Sequence, residues 1–170
     1  MNTTAPRSNL SEFVISRIFD APHDLVWKAW TEPDRLMQWF GPKGVKMPTC
    51  KMDLRPGGIF HYCMLTPDGH EMWGKWVFRE IDAPTRLVLV SSFSDASGGI
   101  TRHPLNPQWP LETLSTTTLE AVGDKTRLTI RWTPLNAKPE ERATFEQSHA
   151  SMQQGWGGTF EQLEDYLRNA

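Results

Sequence analysis

A chain of 170 residues, 38% of them apolar, has the size of one domain and can bury about 70% of the surface its unfolded form exposes, so its core requires no metal or cross-link. Eighteen basic against twenty acidic residues give a net charge of -2 with no long run of either sign, which excludes the basic footprint of a nucleic-acid or anionic-lipid binder. The first ten residues lack an apolar leader core, nothing approaches the roughly 20 apolar residues of a membrane span, and Cys50 and Cys63 stand in no CxxC pattern, so the expectation is a cytoplasmic protein with free thiols.

Residues 1–10 are expected to form a flexible tail on a single domain spanning 1–170. Between Ser11 and Phe19 polar and apolar residues alternate, with Phe13, Ile15 and Phe19 on one face and Val14 and Ile18 on the other, which predicts a strand. Pro22 stands where a first helical turn tolerates proline, and Val26, Trp27 and Trp30 follow at helical spacing, predicting a helix over 22–31. Pro33 opens a second short helix carrying Leu36, Met37, Trp39 and Phe40, which Gly41-Pro42 ends. Four strands are expected over 46–54, 58–65, 71–81 and 86–93, separated by the turn clusters Arg55-Pro-Gly-Gly58, Pro67-Asp-Gly69 and Asp82-Ala-Pro-Thr85. Residues 94–111, with Gly98, Gly99 and three prolines, show no period and read as a long loop. Two further strands, 113–122 and 125–133, flank the hairpin turn at Gly123-Asp124. After Pro139, Phe145, His149, Met152, Trp156, Phe160, Leu163 and Leu167 recur at steps of three and four, drawing one apolar stripe on a continuous helix of about seven turns.

The eight tryptophans make either an aromatic-rich core or the wall of an apolar pocket. Strand alternation and the helix stripe define a candidate ligand-binding wall: Ile59 and His61, then Met72, Trp76 and Phe78, then Leu128, Ile130 and Trp132, with Phe145, His149, Met152 and Trp156 from the helix. Trp39 and Phe40 are expected to close its mouth. The other reading of every one of these residues is a filled, dry core. His61 and His149 are the histidines expected to face inward, as hydrogen-bonding partners of a ligand or as core residues. No carboxylate or nucleophile is placed to form a triad with either, so no catalytic residue is assigned. His61, Cys63 and His70 match no common zinc spacing, and neither a metal nor a cofactor is expected. Arg17 and Glu80 fall on the inward parity, where mutual pairing is the simplest expectation. Gly155, Gly157 and Gly158 weaken the last helix by about 1 kcal/mol each. Either a close approach of sheet or ligand to the helix backbone, or a bend, would account for them.

The order strand, two short helices, six strands, long helix is that of an α+β helix-grip (START-like) fold, an antiparallel sheet of about seven strands wrapped around its C-terminal helix. Arg17-Ile-Phe-Asp-Ala-Pro22, Val26-Trp27, Ala29-Trp-Thr31, Trp39-Phe-Gly-Pro42, Asp53-Leu-Arg-Pro-Gly-Gly-Ile-Phe60, Pro67-Asp-Gly69, Gly74, Phe78-Arg-Glu-Ile81, Pro84, Arg86-Leu87, Thr126-Arg-Leu-Thr129 and Gly155-Trp156 follow that order. Through them the chain resembles the SRPBCC superfamily from Ser16 to Leu167. Within it, the chain resembles the branch related to the C-terminal domain of the heat-shock-protein-ninety ATPase activator. The resemblance implies a cavity between sheet and helix that holds lipids, polyketides or other apolar molecules in different members, which include binding proteins, cyclase- and hydrolase-like enzymes and co-chaperone domains.

The leading expectation is therefore a non-catalytic carrier or sensor of a small hydrophobic molecule. A cyclase or hydrolase using His61 or His149 as proton relay comes second. A co-chaperone ranks lowest, because 170 residues leave no room for the activator's separate N-terminal domain. No nucleic acid and no membrane are expected as partners, and a homodimer through an edge strand or an aromatic mouth is compatible with the sequence.

Overall fold

The computed structural model describes residues 12–41 and 44–170; the expected tail at 1–10, the strand start at Ser11 and the helix stop at Pro42 lie outside the described residues. β1 (Phe13–Phe19) leads into α1 (His23–Thr31) and α2 (Pro33–Leu36). β2 (Lys46–Met52), β3 (Ile59–Leu65), β4 (Glu71–Asp82) and β5 (Arg86–Ser94) follow, then a two-residue β6 (Ile100–Thr101), β7 (Glu112–Val122) and β8 (Lys125–Leu135). Two helices end the chain, α3 (Pro139–Gln147) and α4 (His149–Arg168). The strands pair antiparallel in the order β1-β8-β7-β5-β4-β3-β2, with β6 attached to β5. An open antiparallel sheet with a C-terminal helix is the helix-grip arrangement.

Register explains which side chains meet, because directly paired residues share a face. One inner row runs Phe60, Trp76, Ser91, Thr113, and the next runs Phe78, Leu89, Ser115, Trp132, Phe13. A third runs Leu87, Thr117, Ile130, Ile15. The tight turn at Gly123-Asp124, with Gly123 at φ +65°, fixes the register of β7 on β8. At the far end of these rows Phe19, Leu128, Phe160 and Leu163 are fully buried, and Phe19 meets Phe160 edge to face at 5.4 Å. This end is the solid core. It seats α4 on the inner face of the sheet.

Three expectations change. The last helix is two helices: Ser148, with φ -94° and ψ 2°, separates α3 from α4, and its hydroxyl donates to the Thr144 carbonyl at 2.7 Å. A break between steps of four and three leaves the apolar stripe in line, so periodicity does not reveal it. A bulge between Phe78 and Glu80 shifts the register of β4 against β5, so Glu80 turns to the outer face and pairs with Arg86 at 3.5 Å. Arg17 keeps its inward parity, pairs with Glu164 of α4 at 3.3 Å and lies over the Phe160 ring. The third change concerns the helix glycines. A Cβ added at Gly155, Gly157 or Gly158 would meet nothing within 4 Å, so no sheet backbone presses on α4 there.

Candidate functional site

Beyond the solid core the sheet and α4 diverge, leaving a cavity of about 460 Å³, within the range of roughly 300–1,000 Å³ in which small-molecule sites fall. The strands supply Tyr62 and Met64 from β3, Met72, Trp73, Gly74 and Trp76 from β4, and Leu89 with Ser91 to Phe93 from β5. Thr113, Ser115, Thr117 and Trp132 line it from β7 and β8. Met152, Gly155, Trp156 and Thr159 face them from α4, and Trp30, Phe40 and Gly41 close one end. His103, Trp109 and Pro110 come from the β6–β7 loop. Five of the eight tryptophans, Trp30, Trp76, Trp109, Trp132 and Trp156, contribute to this wall, while Trp73 borders it from a strand position whose side chain lies on the outer face. Trp30 lies nearly parallel to both Trp76 and Trp156, with ring centroids 6.4 and 6.2 Å apart. The indole of Trp132 donates to the Thr113 hydroxyl at 2.5 Å.

Of the residues expected in the wall, Phe40, Met72, Trp76, Trp132, Met152 and Trp156 line the cavity. Trp39 does not close a mouth: it is 1% exposed, donates its indole N–H to the Ala29 carbonyl at 3.1 Å and supports Trp30 from beneath. Phe78 and Ile130 belong to the inner rows but are sealed in the core, and Phe145 stands one layer behind the wall against Trp109 and Trp132. His149 packs between Phe13 and Phe145, and its Nε2 is buried with no hydrogen-bond partner.

Ile59 and His61 face the other way. In β3 the segment Ile-Phe-His-Tyr-Cys-Met-Leu is apolar or aromatic at almost every position, so alternation cannot set its parity. Pairing of Phe60 with Trp76 turns Phe60, Tyr62 and Met64 inward and places Ile59 and His61 on the outer face. There His61 stacks on Trp73 at 5.0 Å, and its Nε2 lies 3.1 Å from the Ser94 hydroxyl and 3.0 Å from the Asp95 carbonyl.

The cavity's own histidine is His103, from the aperiodic loop, where sequence patterning gives no signal. Its ring sits 4.7 Å from Phe93, its Nδ1 accepts the Leu105 N–H at 2.9 Å, and burial lowers its pKa, so it is neutral at neutral pH. Burial also pushes the Tyr62 phenol up to about 12, against a smaller opposing pull from the Trp76 indole. The loop is tied down at one point. Arg102 donates to the Trp109 carbonyl at 3.3 Å and to the Glu141 carboxylate of α3 at 2.5 Å. Glu141 also accepts the Lys138 N–H at 3.0 Å, and that bond first, then Arg102, holds its carboxyl below the usual range. No carboxylate or thiol of the described residues lines the cavity, so no acidic group there orients His103 or completes a triad with it. No helix is long and apolar enough to cross a membrane among the described residues.

The same architecture recurs in solved structures. A Nitrosomonas europaea protein superposes with a TM-score of 0.74 at 28% identity, covering 93% of this chain and 94% of its own. An Arthrobacter aurescens protein gives 0.77 at 29% identity over 96% of this chain and 89% of its own. The Silicibacter pomeroyi AHSA1 protein gives 0.70 at 16% identity, over 92% of this chain and 97% of its own, a likeness of fold alone. A search of curated proteins gives no match. The family model described as "Activator of Hsp90 ATPase homolog 1-like protein" matches residues 20–168, from the end of β1 to the last turn of α4. With both the sheet-and-helix frame and nearly the whole sequence accounted for by that match, the chain belongs to the Activator of Hsp90 ATPase homolog 1-like family.

Proposed function

We propose that this protein binds a small hydrophobic molecule in the cavity between its sheet and α4. The carrying observation is the cavity itself, about 460 Å³ enclosed mainly by indole, phenyl and thioether groups. A core with no ligand to hold closes such space, because each unfilled volume forfeits packing. Methionines at 64, 72 and 152 give this wall adaptability. With His61 on the outer face, His149 packed between two phenylalanines and His103 without a carboxylate or thiol beside it among the described residues, binding without turnover is the reading we adopt. Two free cysteines fit a cytoplasmic location.

The test is a panel of fatty acids, uncharged aromatics and polyketide-like compounds, read by quenching of tryptophan fluorescence and by melting temperature. At least one class is expected to change both. A panel that moves neither overturns the proposal.

A further inference from the structure

Among the described residues that line the cavity there is no Asp, Glu, Lys or Arg, and the two titratable groups, Tyr62 and His103, are neutral at neutral pH. A carboxylate or ammonium brought into this space finds no counter-charge, and burying an unpaired charge is strongly unfavourable. An ionised fatty acid or amine is therefore a poor guest.

Polarity is not absent, however: apart from Tyr62, Ser92, His103 and Thr159, whose hydroxyl donates to the Gly155 carbonyl, it runs in one strip along the sheet. Ser91 of β5 and Thr113, Ser115 and Thr117 of β7 all face the cavity, Ser91 directly opposite Thr113 and the β7 hydroxyls two residues apart. Alternate residues on a strand lie about 6–7 Å apart, so with a hydrogen bond of about 2.8 Å splayed outward at each end the two hydroxyls reach oxygens up to about 10 Å apart at opposite ends of a two-ring system. The Thr113 hydroxyl is engaged by Trp132 and points on to the Ser91 carbonyl. The Ser115 and Thr117 hydroxyls are not hydrogen-bonded to any described residue. Neither is among the polar atoms that are occluded without a partner, so both open onto the cavity. Thr117 is only 4% exposed overall. An unengaged hydroxyl in that position is a costly feature unless a guest or water engages it. Trp76 stands beside the strip, directly paired with Ser91, and Trp156 lines the cavity from α4, so the strip is flanked by indoles that suit a planar guest better than a flexible acyl chain.

Building on the cavity-binding reading above, we infer that the ligand is an uncharged, planar aromatic molecule whose hydroxyl or carbonyl oxygens meet the Ser115 and Thr117 hydroxyls while its rings lie among the tryptophans. A space of this volume would hold about 15 waters, which is room for a guest of two or three rings.

Three matched probes decide the matter: biphenyl, 4,4'-dihydroxybiphenyl and biphenyl-4-carboxylate, titrated by calorimetry at pH 7.5 into the full chain and into S115A, T117V and the double variant. Wild type is expected to bind the dihydroxy compound about tenfold or more tightly than biphenyl, and the carboxylate at least tenfold more weakly than the dihydroxy compound. In the double variant the dihydroxy preference should fall to near parity, and a cooperative thermal transition reports that the variant is folded. Each single variant should lose part of the preference. Carboxylate binding equal to that of the dihydroxy compound overturns the neutrality of the site. A dihydroxy preference that survives in the double variant overturns the role of the strip. If biphenyl binds with no preference for its hydroxylated form, this inference falls and cavity binding stands; if none of the three binds and the wider panel is silent, both fall.

Discussion

Gly74 shows how one residue shapes the cavity. It pairs directly with Tyr62, and a Cβ added there would fall inside the space of the Tyr62 ring. The absent side chain lets the tyrosine lie flat across the β3–β4 ladder, where it stacks on Phe60 at 5.0 Å. Gly74→Ala must push that ring out of its place, and the adjoining space is the cavity. The expected outcome is a loss of about 1–3 kcal/mol of stability from overpacking, together with weaker binding of biphenyl. Denaturant unfolding and calorimetry on the same variant check it, and unchanged values for both would show that Tyr62 has room elsewhere. At this scale the sequence was legible where alternation was clean, as in β4, where Met72 and Trp76 turn inward as expected. It was illegible in β3, where every second choice was equally apolar, so His61 was expected inside and Tyr62 and Met64 were passed over. The inward place read for His61 followed that parity and failed with it.

Among the elements, the β6–β7 loop was legible only as an absence of pattern. Its place over the cavity is a tertiary fact: Trp109 packs on Phe145 at 5.4 Å, and Arg102 reaches Glu141 across 39 residues of sequence. No local signal foretells such a tie. Glu141 holds two things at once, the first turn of α3 through the Lys138 N–H and the loop through Arg102. Its side chain is 8% exposed, so the charge is paid for by those partners alone. Glu141→Gln should cost about 1–3 kcal/mol at neutral pH. The carboxyl is more acidic in the folded chain than in the unfolded one. Its stabilisation is therefore complete above the unfolded value of about 4.3 and disappears as pH falls through the lower folded value. The stability gap between wild type and E141Q is expected to be constant from pH 7 to about 5 and to shrink below that. Urea midpoints from pH 7 to 3 test it, and a gap that stayed constant to pH 3 would show that ionisation of Glu141 contributes nothing. The neighbouring break at Ser148 was hidden for a related reason: an apolar stripe records which side faces the sheet, not whether the backbone is continuous.

The whole fold was readable because its signals are redundant. Turn clusters, hairpin spacing and a helix stripe each constrain the same order of elements, and an error in one strand's parity leaves the topology untouched. The cavity was less so, since its volume is the small difference between the space enclosed and the many side chains that partly fill it. Tryptophans make the point, for Trp39 and Trp156 read alike in sequence yet one is sealed in the core and the other lines the space. That division separates stability from binding. Trp39→Phe removes the hydrogen bond to Ala29 and part of the support under Trp30, and should lower stability by about 1–3 kcal/mol. It removes no group that itself lines the cavity. Trp156→Ala strips an indole from the wall itself, beside Trp30 and Trp132. A ligand at a hundred times its Kd adds about 2.7 kcal/mol to the folded state, which for a domain of this size is a rise of roughly 5–10 °C in Tm. Thermal melts with and without 4,4'-dihydroxybiphenyl at fixed concentration should therefore show W39F melting lower but keeping the full ligand increment, and W156A losing most of it. Equal increments in the two variants would mean that the probe gains its stabilisation somewhere other than the space between sheet and helix.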